Sequence, residues 1–343
     1  MPADSINGAA LPESLCRATG GEYPNLVNSV IPALLRGIGR TAAALRSKHT
    51  VEQVGSDNSF GDAQLNVDVL AERFFREGIR ACASIVTASS EEDPVEQQSN
   101  KQQLTSEGKD AAYTVAFDPL DGSSIIASNW SVGSILGVWE GASALNQDPD
   151  KRQVAAILGV YGPRTTAVIA VRVPGREDSA VCLEVGVKDT DGDNETVGSS
   201  EIIRADLKLA NGDGPKIKTR YFAPANLRAA SEDPRYLALI TRYIQDRYTL
   251  RYSGGLVPDV VHALVKGHGI YLSPVTAGSK AKLRRAYELL PIALVVECAG
   301  GKAIDPADGK RILERRLGDL NETAGLVCGT AADVDLAKGI LLG

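Results

Sequence analysis

One eleven-residue stretch, Thr114-Val-Ala-Phe-Asp-Pro-Leu-Asp-Gly-Ser-Ser124, constrains this chain more than any other. Val115, Ala116 and Phe117 form a short apolar run bounded by turn formers, which predicts a buried strand. Pro119 fixes its own φ and biases Asp118 toward extended backbone, while Gly122 permits a turn that a side chain would obstruct. The chain is therefore expected to leave the strand sharply after Asp118. Two carboxylates three residues apart around such a turn can face one small volume, where their charges repel unless a cation lies between them. Hard oxygen ligands without a nearby thiolate or imidazole favour Mg²⁺ or Mn²⁺ over zinc. Gly122, Ser123 and Ser124 then offer N–H groups and hydroxyls to an anion, above all if a helix starts there. The simpler reading is a Pro-Asp-Gly turn with two solvated aspartates. The strand before the turn and the paired serines after it weigh against that.

Composition leaves room for such a site and excludes several classes. The chain has 343 residues, of which 43% are hydrophobic and 23% charged, enough for a substantial core and a prior of two domains. A net charge of −6 argues against a general nucleic-acid or membrane surface but not against a local basic pocket. No apolar run approaches the roughly 20 residues of a membrane span. Residues 1–22 lack the basic and apolar regions of a signal peptide, and Asp4, Glu13 and Glu22 argue against a transit peptide. A cytoplasmic protein is expected, or a plastid one if a transit peptide has been removed. Cys16, Cys82, Cys182, Cys298 and Cys328 form no C-x-x-C pair and read as reduced structural thiols. With only His49, His262 and His268 available, neither a His-rich metal site nor a Ser-His-Asp triad is supported.

Other segments echo the acidic strand end. Residues 83–94 are a β-compatible run closing on Glu91, Glu92, Asp93 and Pro94. If that strand neighbours the first, Glu91 and Glu92 join Asp118 and Asp121 and supply oxygens for more than one divalent ion. Residues 30–47 read as an amphipathic helix with Pro32 in its first turn, residues 55–61 as a glycine-rich loop, and Leu65, Val69, Leu70, Phe74 and Ile79 as one face of a second helix. Asp68 near that helix's start suits the helix dipole. Three β-rich runs, at residues 130–140, 154–161 and 166–173, predict a largely antiparallel sheet, with a further strand at 182–187. Residues 95–110 read as an exposed connection and 189–200 as an acidic surface loop.

Asn211-Gly-Asp-Gly-Pro215 is the strongest cluster of structure breakers in the second half, so the boundary is placed there: an N-terminal domain at 1–213 and a C-terminal α/β domain at 214–343. Helices are expected at 234–247, 258–266 and 277–290, with strands at 249–252 and 269–272. Arg284 and Glu288 are four apart on the last helix. They read as an exposed ion pair, or else Glu288 enters an anion-and-metal site with a lysine of the same basic run.

Phe117-Asp-Pro-Leu-Asp-Gly-Ser-Ser124, Glu91-Glu92, Arg251-Tyr252, Lys282-Leu-Arg-Arg-Ala-Tyr-Glu288 and Glu297-Cys-Ala-Gly-Gly301 together resemble the fructose-bisphosphatase family in composition and order over nearly the whole chain. Gly61-Asp-Ala-Gln-Leu-Asn-Val-Asp68, Asp121-Gly-Ser-Ser-Ile-Ile126, Gly137-Val-Trp139 and residues 248–259 resemble its sedoheptulose-1,7-bisphosphatase branch most. The resemblance implies a layered αβαβα sugar-phosphatase fold, mixed α and β, and Mg²⁺-dependent hydrolysis of a sugar 1-phosphate, with Mn²⁺ as a substitute and two or more ions per site. By matching position it implies Glu91, Asp118, Asp121 and Glu288 as metal ligands, with the Leu120 carbonyl and Asp68 serving further ions. Asp68 and Glu92 are the implied catalytic carboxylates, Glu92 orienting or deprotonating water. Gly122, Ser123 and Ser124 would hold the reacting phosphate, Asn226, Arg251 and Tyr252 the distal phosphate, and Lys282 the sugar. A homodimer or homotetramer is implied, with Arg251 reaching a neighbouring subunit's site.

Departures narrow the expectation. Fructose bisphosphatases commonly carry tyrosine at the positions of Ala229 and Ser273 and asparagine at that of Ile125, so a longer, seven-carbon sugar fits. The closely spaced regulatory cysteine pair of the plant enzymes is absent, and Ala112 replaces the lysine of AMP-inhibited members, which argues against both controls. A fructose-1,6-bisphosphatase or dual-specificity enzyme is the main alternative. An inositol-phosphatase relative and a non-catalytic metabolite-binding protein are the others.

Overall fold

The computed structural model describes residues 10–57, 63–100, 110, 112–188, 200–210, 217–280 and 282–343. A small hairpin pairs β1 (Gln53–Asp57) with β2 (Ala63–Leu65). An eight-stranded sheet follows: β3 (Ile85–Ser90), β4 (Gln97–Gln98), β5 (Tyr113–Asp121), β6 (Val132–Glu140), β7 (Gln153–Tyr161), β8 (Thr165–Val173), β9 (Arg176–Gly186) and β10 (Glu201–Arg204). Its spatial order is β10-β9-β8-β7-β6-β5-β3-β4, antiparallel except for the parallel pair β3–β5. The second sheet has the order β12-β11-β13-β17-β15, built from β11 (Tyr221–Pro224), β12 (Thr249–Leu250), β13 (Ile270–Ser273), β15 (Lys302–Ile304) and β17 (Leu326–Gly329). Its β11–β12 and β11–β13 pairs are parallel, and β17 is antiparallel to both its neighbours. A two-residue ladder joins β14 (Leu283–Arg284) to β16 (Thr323–Ala324).

Helices complete five layers. One face of the large sheet is covered by α1 (Leu11–Thr19), α2 (Ile31–Ser47) and α3 (Asn66–Ala81), whose side chains share a core with β3 and β5 to β9. The opposite face packs on α7 (Leu256–Lys266) and α8 (Leu290–Cys298), which also bury residues of the second sheet. The outer face of that sheet carries α6 (Pro234–Gln245) and α9 (Ala331–Leu342). The order is αβαβα, as the family resemblance implied. Covering on both faces explains why β6 is buried at every position despite its antiparallel pairing, which would otherwise favour alternation. Sequence Leu290 to Val296 is buried throughout, the signature of a helix enclosed on all sides.

Several sequence expectations change. On α3 the buried apolar stripe is Val67, Ala71, Phe75 and Ile79, which keeps Ile79 of the predicted face but replaces Leu70 and Phe74 by their neighbours, and Val69 is exposed. The Arg76 guanidinium fixes that rotation by bonding Glu72, Ser90 Oγ and the Ala88 carbonyl on the neighbouring strand β3. Strand β1 runs through the predicted 55–61 loop as far as Asp57, and residues 58–62 lie outside the described residues. No helix spans 277–290. Leu283 and Arg284 pair with β16, a widened turn occupies Arg285–Leu289, and the straight helix begins at Leu290, where Pro291 suits the first turn. The 211–215 boundary, the 189–199 loop and most of the 95–110 connection also lie outside the described residues. Among the described residues no helix is long and apolar enough to cross a membrane.

Candidate active site

The two acidic strand ends are neighbours. β3 and β5 run parallel with Ser90 opposite Phe117, and the Glu91 N–H donates to the Phe117 carbonyl at 3.0 Å. Parallel pairing puts both carboxyl ends on one edge, the usual place for a ligand site in such sheets. β5 does not stop at Asp118, however. Its register with β6 shifts between Asp118 and Asp121, a bulge that carries the strand on to Asp121. Pro119 has no N–H to lose there, and its carbonyl accepts from Ser134 Oγ at 2.6 Å. Gly122 turns the chain at φ +99°, where a Cβ would also stand 3.0 Å from Val132. The one-turn helix α4 (Ser123–Ile126) starts after it, so the leading N–H groups lack helical acceptors.

Each carboxylate is held individually. Asp118 accepts from the Leu120 N–H at 3.0 Å. Asp121 accepts from the Leu256 and Val257 N–H groups at 3.1 and 2.7 Å, so the start of α7 caps it from 135 residues away. That approach needs Gly133, because a Cβ there would meet Val257 Cβ at 2.5 Å. Asp68 accepts from the Leu65 N–H at 2.9 Å and from Ser123 Oγ at 3.1 Å, and the same hydroxyl lies 3.1 Å from the Leu120 carbonyl. Glu288 accepts from the Arg284 N–H at 2.5 Å, while the Arg284 guanidinium stands 2.8 Å from Glu91 Oε1. The pair that reads as exposed at 284 and 288 is therefore buried, and the Arg284 guanidinium serves Glu91 while its charge also favours the Glu288 carboxylate. Glu92 follows, half-buried.

Electrostatics mark the volume between them as short of positive charge. Burial, then the charges of Glu91, Asp121 and Glu288, hold Asp118 well above the usual carboxylate range. Burial, then Glu91, does the same to Glu288 against the opposing pull of Arg284. Burial lifts Asp121 to about 6 despite its two N–H donors, and lifts Asp68 to about 6. Among the described residues, no three carboxylate, thiol or imidazole groups already converge as a ready-made ligand set. The donor chemistry nevertheless fits a divalent cation, since every group is an oxygen and their mutual repulsion is relieved by positive charge.

The expected distal groups are more dispersed. Asn226 sits in left-handed backbone, and its Nδ2 donates to the Pro274 and Ser279 carbonyls at 2.7 and 3.3 Å, so its amide anchors that loop. Arg251 and Tyr252 are exposed and line a cavity of about 1190 Å³ together with Ile126, Val132, Asp259 and His262. This cavity adjoins the acidic cluster and contains none of its four carboxylates. Lys282 is exposed, and its carbonyl accepts from Arg284 at 3.3 Å. Two contributors have roles that the sequence does not assign. Arg284 shows only a basic run and its spacing from Glu288, with nothing that points to Glu91. Asp259, in the first turn of α7, is lifted by burial to about 6 and raises Asp121 in turn.

Comparison with known proteins supplies the lineage. Residues 13–186 match the family model "Fructose-1-6-bisphosphatase, N-terminal domain", and residues 216–341 match its C-terminal domain. Chloroplastic sedoheptulose-1,7-bisphosphatase of Spinacia oleracea is 36% identical over 81% of this chain, and that of Triticum aestivum is 34% identical over 95%. The matched regions span 64% and 75% of those longer proteins. The class 1 fructose-1,6-bisphosphatase of Geobacter sulfurreducens is 33% identical over 84% of this chain and 83% of its own. A crystal structure from Toxoplasma gondii assigned as a sedoheptulose-1,7 bisphosphatase superposes with a TM-score of 0.83 at 35% identity, covering 98% of this chain and 99% of that one. With both family domains matched in order, the chain belongs to the fructose-1-6-bisphosphatase family.

Proposed function

We propose that this chain hydrolyses the 1-phosphate of sedoheptulose-1,7-bisphosphate, giving sedoheptulose 7-phosphate and phosphate with Mg²⁺ as cofactor. The observation that carries the reading is the buried acidic cluster at the adjoining ends of β3 and β5, set against the Gly122-Ser123-Ser124 turn. Glu91, Asp118, Asp121 and Glu288, with Asp68 and the Leu120 carbonyl, would hold two or more divalent ions. When bound, such ions supply charge neutralisation for phosphoryl transfer and a more acidic water. The residues of the chain do the rest. Gly122, Ser123 and Ser124 hold the reacting phosphate through N–H and hydroxyl donors. Glu92 lies one residue beyond Glu91 and accepts the proton of the attacking water. Arg251, Tyr252 and Lys282 bind the remote parts of the substrate, so that their binding energy positions the scissile group. Asn226 contributes by locking residues 274–279.

The seven-carbon substrate is supported by two small residues and by the relatives. Ala229 and Ser273 stand where family members with a six-carbon substrate commonly carry tyrosine, and Ala229 is fully buried in the short turn that Asn226 opens. The plant relatives named for the seven-carbon sugar are 34–36% identical, the Geobacter one named for the six-carbon sugar 33%. We assign a homodimer or homotetramer in which Arg251 serves a neighbouring site. Steady-state phosphate release from sedoheptulose-1,7- and fructose-1,6-bisphosphate, each with and without Mg²⁺, tests the reading. A higher kcat/KM for the six-carbon substrate overturns the sugar assignment. No metal-dependent turnover on either overturns the enzyme assignment, and D121N is expected to lose activity by weakening metal binding.

A further inference from the structure

We propose that Tyr221 is a positioning residue for Arg251, presenting the guanidinium to the distal phosphate through its ring face. The inference rests on Arg251 binding that phosphate, as argued above, in its own site or a neighbour's. Tyr221 opens β11 and pairs with Thr249 of the parallel strand β12. Arg251 lies two residues beyond Thr249, so strand alternation returns its side chain to the face that Tyr221 occupies. Its backbone is fixed there by the Arg251 N–H, which donates to the Phe222 carbonyl at 3.0 Å. The guanidinium carbon stands 5.5 Å from the Tyr221 ring centroid, within cation–π range, and Nη1 donates to the Leu250 carbonyl at 2.9 Å.

The ring is itself held before the arginine meets it. His268 lies parallel to it with centroids 5.3 Å apart, and His262 meets it edge-on at 4.8 Å. Burial keeps both imidazoles below their ordinary pKa, so neither adds positive charge beside the guanidinium at neutral pH. An exposed arginine otherwise samples many rotamers, and restricting them in the free protein lowers the cost of ordering the side chain on binding. Contact through the ring face also leaves the guanidinium donors other than the one on the Leu250 carbonyl to recognise phosphate. The arginine and tyrosine thus form one functional pair, although 30 residues separate them in sequence.

The test is a double-mutant cycle on the Mg²⁺-loaded enzyme, with folding of each variant checked by thermal melting. Y221L is expected to raise KM for sedoheptulose-1,7-bisphosphate about 3- to 5-fold at unchanged kcat, while Y221F, which keeps the ring, behaves as wild type. R251A is expected to raise KM further, and R251A/Y221L to match R251A alone. Turnover of fructose 1-phosphate, which lacks a distal phosphate, should not respond to Y221L. If Y221L does not fold, Y221Q replaces it in the cycle. Additive effects in the double variant, an equal loss with fructose 1-phosphate, or a Y221F defect as large as that of Y221L would each overturn the pairing. A rise in KM for R251A with Y221L silent overturns the pairing alone. R251A without effect on the bisphosphate KM overturns the distal-phosphate role on which it rests.

Discussion

Replacing Asp68 by asparagine separates the site's charge from its shape. The new amide keeps both existing contacts: its oxygen accepts from the Leu65 N–H and its NH₂ donates to Ser123 Oγ, whose own hydrogen has the Leu120 carbonyl at 3.1 Å. Only ionisation is lost. Asp68 is 3% exposed, and burial lifts its carboxyl from 3.8 to about 6. The unfolded chain therefore ionises this group first, and folded stability falls as pH rises from 3.8 through 6. Above pH 7 the accumulated loss is about 3 kcal/mol. That figure is already net of the carboxylate's favourable contacts at the start of α3, so D68N is expected to be about 3 kcal/mol more stable than wild type when metal is absent. In EDTA at pH 8 its melting temperature is expected to be about 4–6 °C higher, shrinking to below half of that at pH 4.5. With Mg²⁺ the order narrows or reverses, because the wild type gains more from the ion, and turnover by D68N falls. Circular-dichroism melts at both pH values, with EDTA or Mg²⁺, decide the matter. A metal-free D68N less stable than wild type at pH 8, or a difference that does not change with pH, would refute the argument.

Three further outcomes follow from particular contacts. Gly133→Ala would place a Cβ 2.5 Å from Val257 Cβ and 2.8 Å from the Gly159 carbonyl, so it should cost about 2 kcal/mol in urea unfolding and weaken activity by moving the α7 N–H groups from Asp121. Arg284→Ala strips the guanidinium from Glu91 in a buried setting, and a loss of about 3–5 kcal/mol is expected in EDTA, partly recovered by saturating Mg²⁺; equal losses in both conditions would show that the arginine does not compensate the acidic cluster. All five cysteines are free and four of them are buried, so a thiol reagent should modify at most Cys16 quickly in the native protein and all five after denaturation, and a reductant should leave turnover unchanged.

Much of the architecture was written in local pattern. The strand runs around 115–117, 130–140, 154–161 and 166–173 were readable because apolar stretches between turn formers can do little else in water. The acidic strand ends stood out for the same reason, as did the glycine at 122, whose positive φ the structure confirms. Local pattern misjudged elements whose ends depend on neighbours. The expected helix at 277–290 lost its first half to pairing with β16, since Thr323 and Ala324 are invisible from residue 283. The buried stripe of α3 keeps only Ile79 of the predicted face, because Arg76 reaches strand β3 as well as Glu72 on its own helix.

What the sequence by itself determined is the supply of chemistry: two acidic strand ends, a glycine-serine turn, a late glutamate and an arginine-tyrosine pair. Only the tertiary structure decided how they meet. Parallel pairing of β3 with β5 brought Glu91 to Asp118, packing of α7 over Gly133 delivered two N–H groups to Asp121, and the Arg284 guanidinium reached Glu91 on a distant strand end. The physical reason lies in range. Strand period and turn geometry are properties of a few consecutive bonds, whereas the repulsion among buried carboxylates exists only once separate layers have excluded water from the space between them.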